Sequence, residues 1–181
     1  MNPAHTKQYI LFKQALIERY GSVQESKIRI DHKIGTCEYD GIKYGILFPS
    51  DYIEYTERKF EKTIDYCFIG NGRNREWVKD YDGCIDFTKR GRHMDTKYDI
   101  DKPYYDAMMQ SRFALCPAGA FEWTYRAYEA LMCCAIPVFL SEPTFHDYNK
   151  KYYYQLHGQP HSYSIYHALK NRELFLQEHT I

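Results

Sequence analysis

Three short segments of the sequence combine glycine or proline with charged side chains, and each follows an apolar run. The first is Gly-Asn-Gly-Arg-Asn-Arg at residues 70–75, where Gly70, Gly72, Arg73 and Arg75 are candidate phosphate ligands. Glycines let the backbone approach a phosphate, and arginines add charge-assisted hydrogen bonds. The segment lacks the third glycine of a dinucleotide-binding fingerprint. Taken alone, it is equally well interpreted as a solvated turn with surface arginines.

The second segment is Thr-Lys-Arg-Gly-Arg-His at residues 88–93. Lys89 and Arg90 are candidate ligands of a diphosphate, because clustered cations bind it through electrostatic and bidentate contacts. Charge runs are usually solvated loops. The position directly after an apolar run makes the two interpretations about equally good.

The third segment joins a Pro-Ala-Gly loop to a predicted helix over residues 121–133. A helix that begins beside such a loop presents free N–H groups to an anion, a nearby arginine can neutralise a diphosphate, and a glutamate can accept hydrogen bonds from ribose hydroxyls. The alternative is an i, i+4 ion pair between Glu122 and Arg126 on an exposed face, which the pattern alone slightly favours. The candidate donor-binding residues here are Pro117, Gly119, Glu122, Arg126 and Glu129.

These segments are embedded in alternating strand and helix patterns. Nearly continuous apolar runs are typical of strands buried on both faces, and alternation with short connections indicates βαβ units. We therefore predict an α/β fold, a Rossmann-like parallel sheet with helices on both faces. Ligands of such sheets bind outside the carboxyl ends of the strands, where all three segments fall. The predicted strands are residues 64–69, 84–87, 113–116 and 135–140, and the predicted helices are residues 75–81, 102–110 and 121–133.

The part before residue 64 has weaker patterns. We predict a helix over residues 6–20 ended by Gly21, and strands over 26–34 and 43–48 separated by a turn at 39–41. Residues 51–61 fit a helix or a loop. A chain of 181 residues without repeats or linkers is most economically one domain over residues 1–181.

Composition excludes several classes of protein. Lys plus Arg and Asp plus Glu both number 24, so the basic excess of a nucleic-acid-binding protein is missing. The start lacks the apolar stretch of a signal peptide, and no run is long enough to span a membrane. The six cysteines show no C-x-x-C spacing, which indicates free thiols. We expect a cytoplasmic protein with no membrane span, no nucleic-acid partner and no metal or cofactor.

Residues 104–138 resemble the exostosin-like glycosyltransferases and, more broadly, the donor-binding C-terminal half of GT-B enzymes. The shared pattern is a strand ending in Leu-x-Pro-x-Gly, a helix with Arg-x-x-Glu-Ala-Leu, and then Ile-Pro-Val. The resemblance implies a nucleotide-sugar donor, UDP- or GDP-linked, with Arg126 near the diphosphate and Glu129 near the ribose. It also implies a metal-independent mechanism, in which protein cations and helix dipoles stabilise the leaving diphosphate.

The chain departs from that pattern in three places. Cys133-Cys134-Ala135 replaces a small, glycine-containing stretch, and the spacing from Glu122 to Glu129 is one residue shorter than in many retaining GT-B families. A full N-terminal acceptor domain is missing. Either residues 1–62 form a reduced acceptor side, or a partner or oligomer completes it, or the chain is a fragment or a degenerate binding module.

An inverting transfer to a glycan or other hydroxyl acceptor requires a general base. Asp51, just after a predicted strand, is the first candidate, followed by Asp31 and His32. A solvated surface side chain is the more frequent role for each of them. The leading hypothesis is therefore a glycosyltransferase with Asp51 and Arg126 as catalytic residues.

Two further hypotheses belong to different classes. One is a non-catalytic nucleotide-sugar- or carbohydrate-binding module of a larger assembly, which the missing acceptor domain favours. The other is a methyltransferase that uses the 70–72 loop, with Asp86 at a ribose. The closely following Lys89 and Arg90 argue against the second.

Overall fold

Strands form two sheets within residues 3–72, 75–87 and 98–180, the part of the chain that the computed structural model describes. The elements in chain order are α1 (Pro3–Tyr20), β1 (Ile28–Asp31), β2 (Thr36–Tyr39), β3 (Ile42–Tyr44), α2 (Ser50–Thr56), β4 (Ile64–Ile69), β5 (Gly83–Asp86), α3 (Lys102–Gln110), β6 (Ser111–Leu115), α4 (Tyr125–Met132), β7 (Ile136–Phe139), α5 (Tyr148–Lys151), β8 (Gln155–Leu156) and α6 (Ile165–His179). Short 3-10 helices lie at Glu25–Lys27, Glu76–Asp80 and Phe145–Asp147.

The larger sheet has the order β5-β4-β6-β7-β8, and every neighbouring pair is parallel. Successive side chains of β6 point to opposite faces, as the two-residue period of a strand requires. Phe113 and Leu115 pack on one face, and Ala114 packs on the other. The predicted Rossmann-like parallel sheet is confirmed.

Helical segments lie on both faces of this sheet. The face that carries Ala114 is covered by α3, α4 and α6, which contribute Met108, Tyr128 and Phe175. The opposite face is covered by Val78 of the 3-10 helix Glu76–Asp80, together with Ala168 from the first half of α6. Each face thus has its own apolar core.

The smaller sheet is an antiparallel meander of β1, β2 and β3 under α1. Phe12 and Leu16 of α1 pack against Ile28 and Cys37. Asp40 and Gly41 both have positive φ, at 51° and 82°, which is the conformation of a type I′ hairpin turn. The predicted turn is therefore confirmed. No helix in the described residues is long and apolar enough to cross a membrane.

The structure differs from the sequence prediction at three elements. The helix predicted over 121–133 begins only at Tyr125, because the hydroxyl of Thr124 caps it by accepting the Arg126 amide at 3.3 Å. The segment predicted as a helix over 75–81 is the short 3-10 helix. The strand predicted over 43–48 ends at Tyr44. Residues 51–61, which fitted a helix or a loop, are helical up to Thr56, where α2 ends.

Candidate functional site

The candidate site lies where the strand order of the larger sheet reverses. The chain passes from β4 outward to β5 and then returns to β6 on the other side of β4. The segments after β4 and β6 therefore go to opposite faces of the sheet and diverge at the carboxyl ends of the two strands, and we call the space between them the crevice. Doubly wound sheets bind ligands at this switch point.

Arg126 lies in the first turn of α4 and points into this crevice. Its Nη2 atom donates to the carbonyl of Ile69, the last residue of β4, at 2.8 Å. Its guanidinium carbon lies 4.3 Å from the ring centroid of Phe68. Arg126 is only 9% exposed, and its buried Nε atom has no hydrogen-bond partner.

Arg75 reaches the same place from the loop after β4. Its Nη1 atom donates to the carbonyl of Asn71 at 2.5 Å, and its guanidinium carbon lies 5.6 Å from the Phe68 ring centroid. Its Nε atom is also buried without a partner. Burial lowers the pKa of Arg75 below its ordinary value, and the positive charge of Arg126 lowers it further. The two cations therefore repel each other in a poorly solvated position.

Two glycines lie beside the guanidinium groups, and Gly70 makes room for that of Arg126. A Cβ atom on Gly70 would lie 2.9 Å from Nη2 of Arg126 and 3.7 Å from Nη1 of Arg75. A Cβ atom on Gly119 would lie 3.5 Å from Nη2 of Arg75. The first and third segments singled out in the sequence thus converge on one pair of arginines.

Neither guanidinium is paired with a carboxylate among the residues that the structure describes. The hydrogen bonds of Arg75 and Arg126 go to backbone carbonyls. A buried and a half-buried guanidinium lie side by side, each with a buried Nε–H that has no partner, and they form a site that an anion would neutralise. A group with two linked negative charges, such as a diphosphate, matches this pair.

The other predicted donor ligands have varied surroundings. Pro117 is buried two residues after the end of β6, Gly119 is exposed, and Gly72 lies against the ring of Phe87 with no room for a Cβ atom. The placement of Glu122 on a helix is corrected, because α4 begins after it and Glu122 is exposed in the loop. Three predicted ligands, Arg73, Lys89 and Arg90, lie outside the described residues.

Glu129 is buried in the core, at 1% exposure. One oxygen accepts from Lys7 Nζ at 2.6 Å and from the Tyr105 hydroxyl at 2.8 Å. The other accepts from the Tyr104 hydroxyl at 2.8 Å. Sequence patterns did not point to Lys7, Tyr104 or Tyr105, because a contact between residues 7 and 129 leaves no local signal.

Asp51 lies in the first turn of α2, and its carboxylate accepts a short hydrogen bond from the Tyr98 hydroxyl. Burial raises the pKa of Tyr98, and the charge of Asp51 raises it further. Tyr98 precedes α3, whose N-terminal end lies toward the carboxyl edge because α3 leads into the start of β6. The role of Asp51 as a base stays a prediction.

The N-terminal sheet touches the rim of the same crevice through its β1–β2 turn. The indole N–H of Trp123, in the loop before α4, donates to the carbonyl of His32 at 2.9 Å. A Cβ atom on Gly35 would lie 2.7 Å from the Trp123 ring. His146 donates from Nε2 to the carbonyl of Ile34, so its Nδ1 accepts from the Tyr128 hydroxyl.

Comparison with known proteins gives a match to a protein family. The family model of the RXYLT1 C-terminal domain matches residues 78–172, just over half of the 181 residues. The matched span includes Arg126 and Glu129, whereas Arg75 and Lys7 precede it. No curated protein and no solved structure matches the chain.

Proposed function

We propose a function from one premise, that this chain belongs to the family of the RXYLT1 C-terminal domain, a glycosyltransferase family. The proposed reaction is transfer of a sugar from a UDP- or GDP-linked donor to a hydroxyl of a glycan or another acceptor. The donor diphosphate binds in the crevice between the loops that follow β4 and β6.

The observation that carries the proposal is the pair formed by the buried guanidinium of Arg126 and the half-buried guanidinium of Arg75. Both reach the switch point of the sheet, and each has a buried Nε–H without a partner. Since nearby like charges disfavour each other, a bound diphosphate relieves their repulsion and supplies the missing acceptors. Gly70 and Gly119 lie beside these side chains and add no side chain of their own next to the guanidinium groups.

The same contacts suit the chemistry of transfer. The acceptor oxygen bonds to the anomeric carbon of the donor, the bond from that carbon to the diphosphate oxygen breaks, and the hydroxyl proton passes to a base. Negative charge grows on the departing nucleoside diphosphate. Arg75, Arg126 and the N-terminal end of α4 stabilise that charge, so the reaction proceeds without a metal ion. Asp51 remains our candidate for the base if the transfer inverts configuration.

The acceptor side is proposed to come from residues 1–62, as the reduced counterpart of an acceptor domain. Contacts of the β1–β2 turn with Trp123 and His146 support this, because they bring the N-terminal sheet to the rim of the crevice. A partner protein or a second copy completing this side is the alternative.

The experiment that tests the function is a calorimetric titration with UDP, GDP, CDP and S-adenosylmethionine, followed by donor turnover assays in EDTA and in Mg²⁺. We expect one nucleoside diphosphate to bind, Arg126→Ala and Arg75→Ala to weaken it, and turnover to be equal in EDTA. Arg112→Ala is the matched control, because Arg112 is an exposed β6 arginine paired with Asp65 at 2.6 Å.

Each failure has a distinct meaning. Binding of S-adenosylmethionine alone would favour the methyltransferase hypothesis. Binding of a nucleoside diphosphate without hydrolysis or transfer would favour a non-catalytic binding module. If Arg126→Ala binds the nucleoside diphosphate as tightly as Arg112→Ala does, the proposed location of the diphosphate is wrong.

A further inference from the structure

Glu129 lies on the same helix as Arg126, but its carboxylate points into the core. The side chain of Glu129 is 2% exposed, and that of Lys7 is 12% exposed. The ion pair between them, at 2.6 Å, joins α4 to α1, and the hydroxyls of Tyr104 and Tyr105 join α4 to α3. Three elements therefore meet at one carboxylate.

A buried carboxylate is costly unless it is paired and hydrogen-bonded. Both oxygens of Glu129 already accept from donors within the protein. A ribose hydroxyl that bound here would have to displace Lys7 or a tyrosine hydroxyl from the core. The geometry therefore favours a role for Glu129 inside the protein over direct contact with the donor.

The position of the Arg126 side chain depends on how α4 is rotated about its axis. Residues three apart lie on one side of a helix, so Arg126 and Glu129 are fixed to the same side of α4. The buried thiol of Cys116 lies within electrostatic reach of both: burial raises its pKa, the charge of Arg126 lowers the pKa, and the charge of Glu129 raises it. Any rotation of α4 that loosened Glu129 from Lys7 would also move Arg126 away from Ile69.

We propose that Glu129 is a positioning residue. Together with Lys7 of α1 it fixes the rotation of α4, so that Arg126 can bind the donor diphosphate. This inference rests on the proposed function, and it makes α1 a structural support of the donor site. It assigns Lys7 a role in donor affinity, and it replaces the ribose contact expected for Glu129.

The test compares wild type with Glu129→Gln, Lys7→Met, their double variant and the milder Tyr104→Phe. Dissociation constants for UDP, GDP and their 2′-deoxy counterparts are measured by calorimetry at a temperature where circular dichroism shows every variant folded. Lys13→Met is the matched control, because Lys13 is another α1 lysine in an ion pair, with Glu25 at 2.5 Å, on the exposed surface.

We expect Glu129→Gln and Lys7→Met each to weaken the preferred diphosphate about tenfold. The double variant should be no weaker than either single one, because the two residues act as one unit. The preference for ribose over 2′-deoxyribose should stay unchanged in all of them.

Two results would overturn the inference while leaving the proposed function intact. The first is loss of the ribose preference in Glu129→Gln with wild-type affinity in Lys7→Met, which would mark Glu129 as a ribose ligand. The second is wild-type affinity in all variants, including Tyr104→Phe. A wild-type protein that binds neither UDP nor GDP would overturn the proposed function, and this inference with it.

Discussion

Arg126 stacks on Phe68, with the guanidinium carbon 4.3 Å from the ring centroid, and at the same time donates to the carbonyl of Ile69. The stacked ring and the acceptor belong to consecutive residues of β4, so the strand fixes both the plane and the direction of the guanidinium. Arg75 approaches the same ring at 5.6 Å. One phenylalanine thus supports the two cations to which we assign the diphosphate.

Replacing Arg126 by lysine tests whether this geometry matters beyond charge. Lysine keeps the positive charge but has neither the planar stacking surface nor the forked donors of arginine. We expect Arg126→Lys to weaken nucleoside diphosphate binding by about 10- to 100-fold in calorimetry. Arg112→Lys, at an exposed ion pair, should bind as wild type. Equal affinity of Arg126→Lys and wild type would show that charge alone suffices.

Gly70→Ala tests whether the space beside the arginines is used. The new Cβ atom would meet Nη2 of Arg126 at 2.9 Å, and because this is the end of a flexible side chain the fold can adapt by moving the guanidinium. We expect weaker diphosphate binding with an almost unchanged midpoint of thermal unfolding. Gly45→Ala is the control, since a Cβ atom there meets nothing within 4 Å. If both variants bind like wild type, the phosphates do not approach Gly70.

Gly35→Ala tests the contact between the N-terminal sheet and the crevice. Its Cβ atom would lie 2.7 Å from the Trp123 ring, so the β1–β2 turn should lift from Trp123. We expect sugar transfer to fall while nucleoside diphosphate affinity changes little, because Arg75 and Arg126 stay in place.

Gly41→Ala is a matched control for this change. Gly41 also has a positive φ, 82° against 68° at Gly35, but a Cβ atom there meets nothing within 4 Å. Both variants carry the same kind of backbone strain, so only Gly35→Ala should impair transfer. Equal transfer by the two variants would argue against an acceptor role for the β1–β2 turn.

His179 should make stability depend on pH. It donates from Nδ1 to the carbonyl of Ile46 and accepts at Nε2 from the Tyr152 hydroxyl, and burial lowers its pKa from 6.5 to about 4. The unfolded chain therefore binds more protons than the folded one between these values, so stability is present above pH 6.5 and is lost as the pH falls toward 4.

We expect the free energy of unfolding attributable to His179 to fall by about 2 kcal/mol between pH 6.5 and about pH 5. Urea denaturation of wild type and of His179→Gln at both pH values measures it as the difference between the two proteins. A parallel decline in both would mean that other groups cause the acid sensitivity.

Local patterns predicted the elements that end at clear local signals. The run Ile64–Ile69 and the helix Lys102–Gln110 were predicted with their observed bounds, because an apolar run stops at Gly70 and because Pro103 marks a helix start. The start of α4 was predicted too early, since the apolar pattern continues back to Phe121. Thr124 caps the helix instead.

Long-range relations within the site could not be predicted from patterns. Alternation of strands and helices indicates a parallel sheet, but it does not give the order β5-β4-β6 that brings Arg75 beside Arg126. Lys7 meets Glu129 across 122 positions of the chain, and no periodicity connects them. The pairing of Glu122 with Arg126 is not formed for a different reason: α4 begins at Tyr125, so Glu122 is not one helical turn before Arg126.

The most direct test of the central claim is a calorimetric series with uridine, UMP and UDP, and with guanosine, GMP and GDP, on wild type, Arg75→Gln and Arg126→Gln. If the two arginines hold the diphosphate, affinity of wild type should rise steeply from the monophosphate to the diphosphate of one base. That gain should shrink by about tenfold or more in each variant, while nucleoside binding stays the same. An equal gain in wild type and both variants would contradict the account.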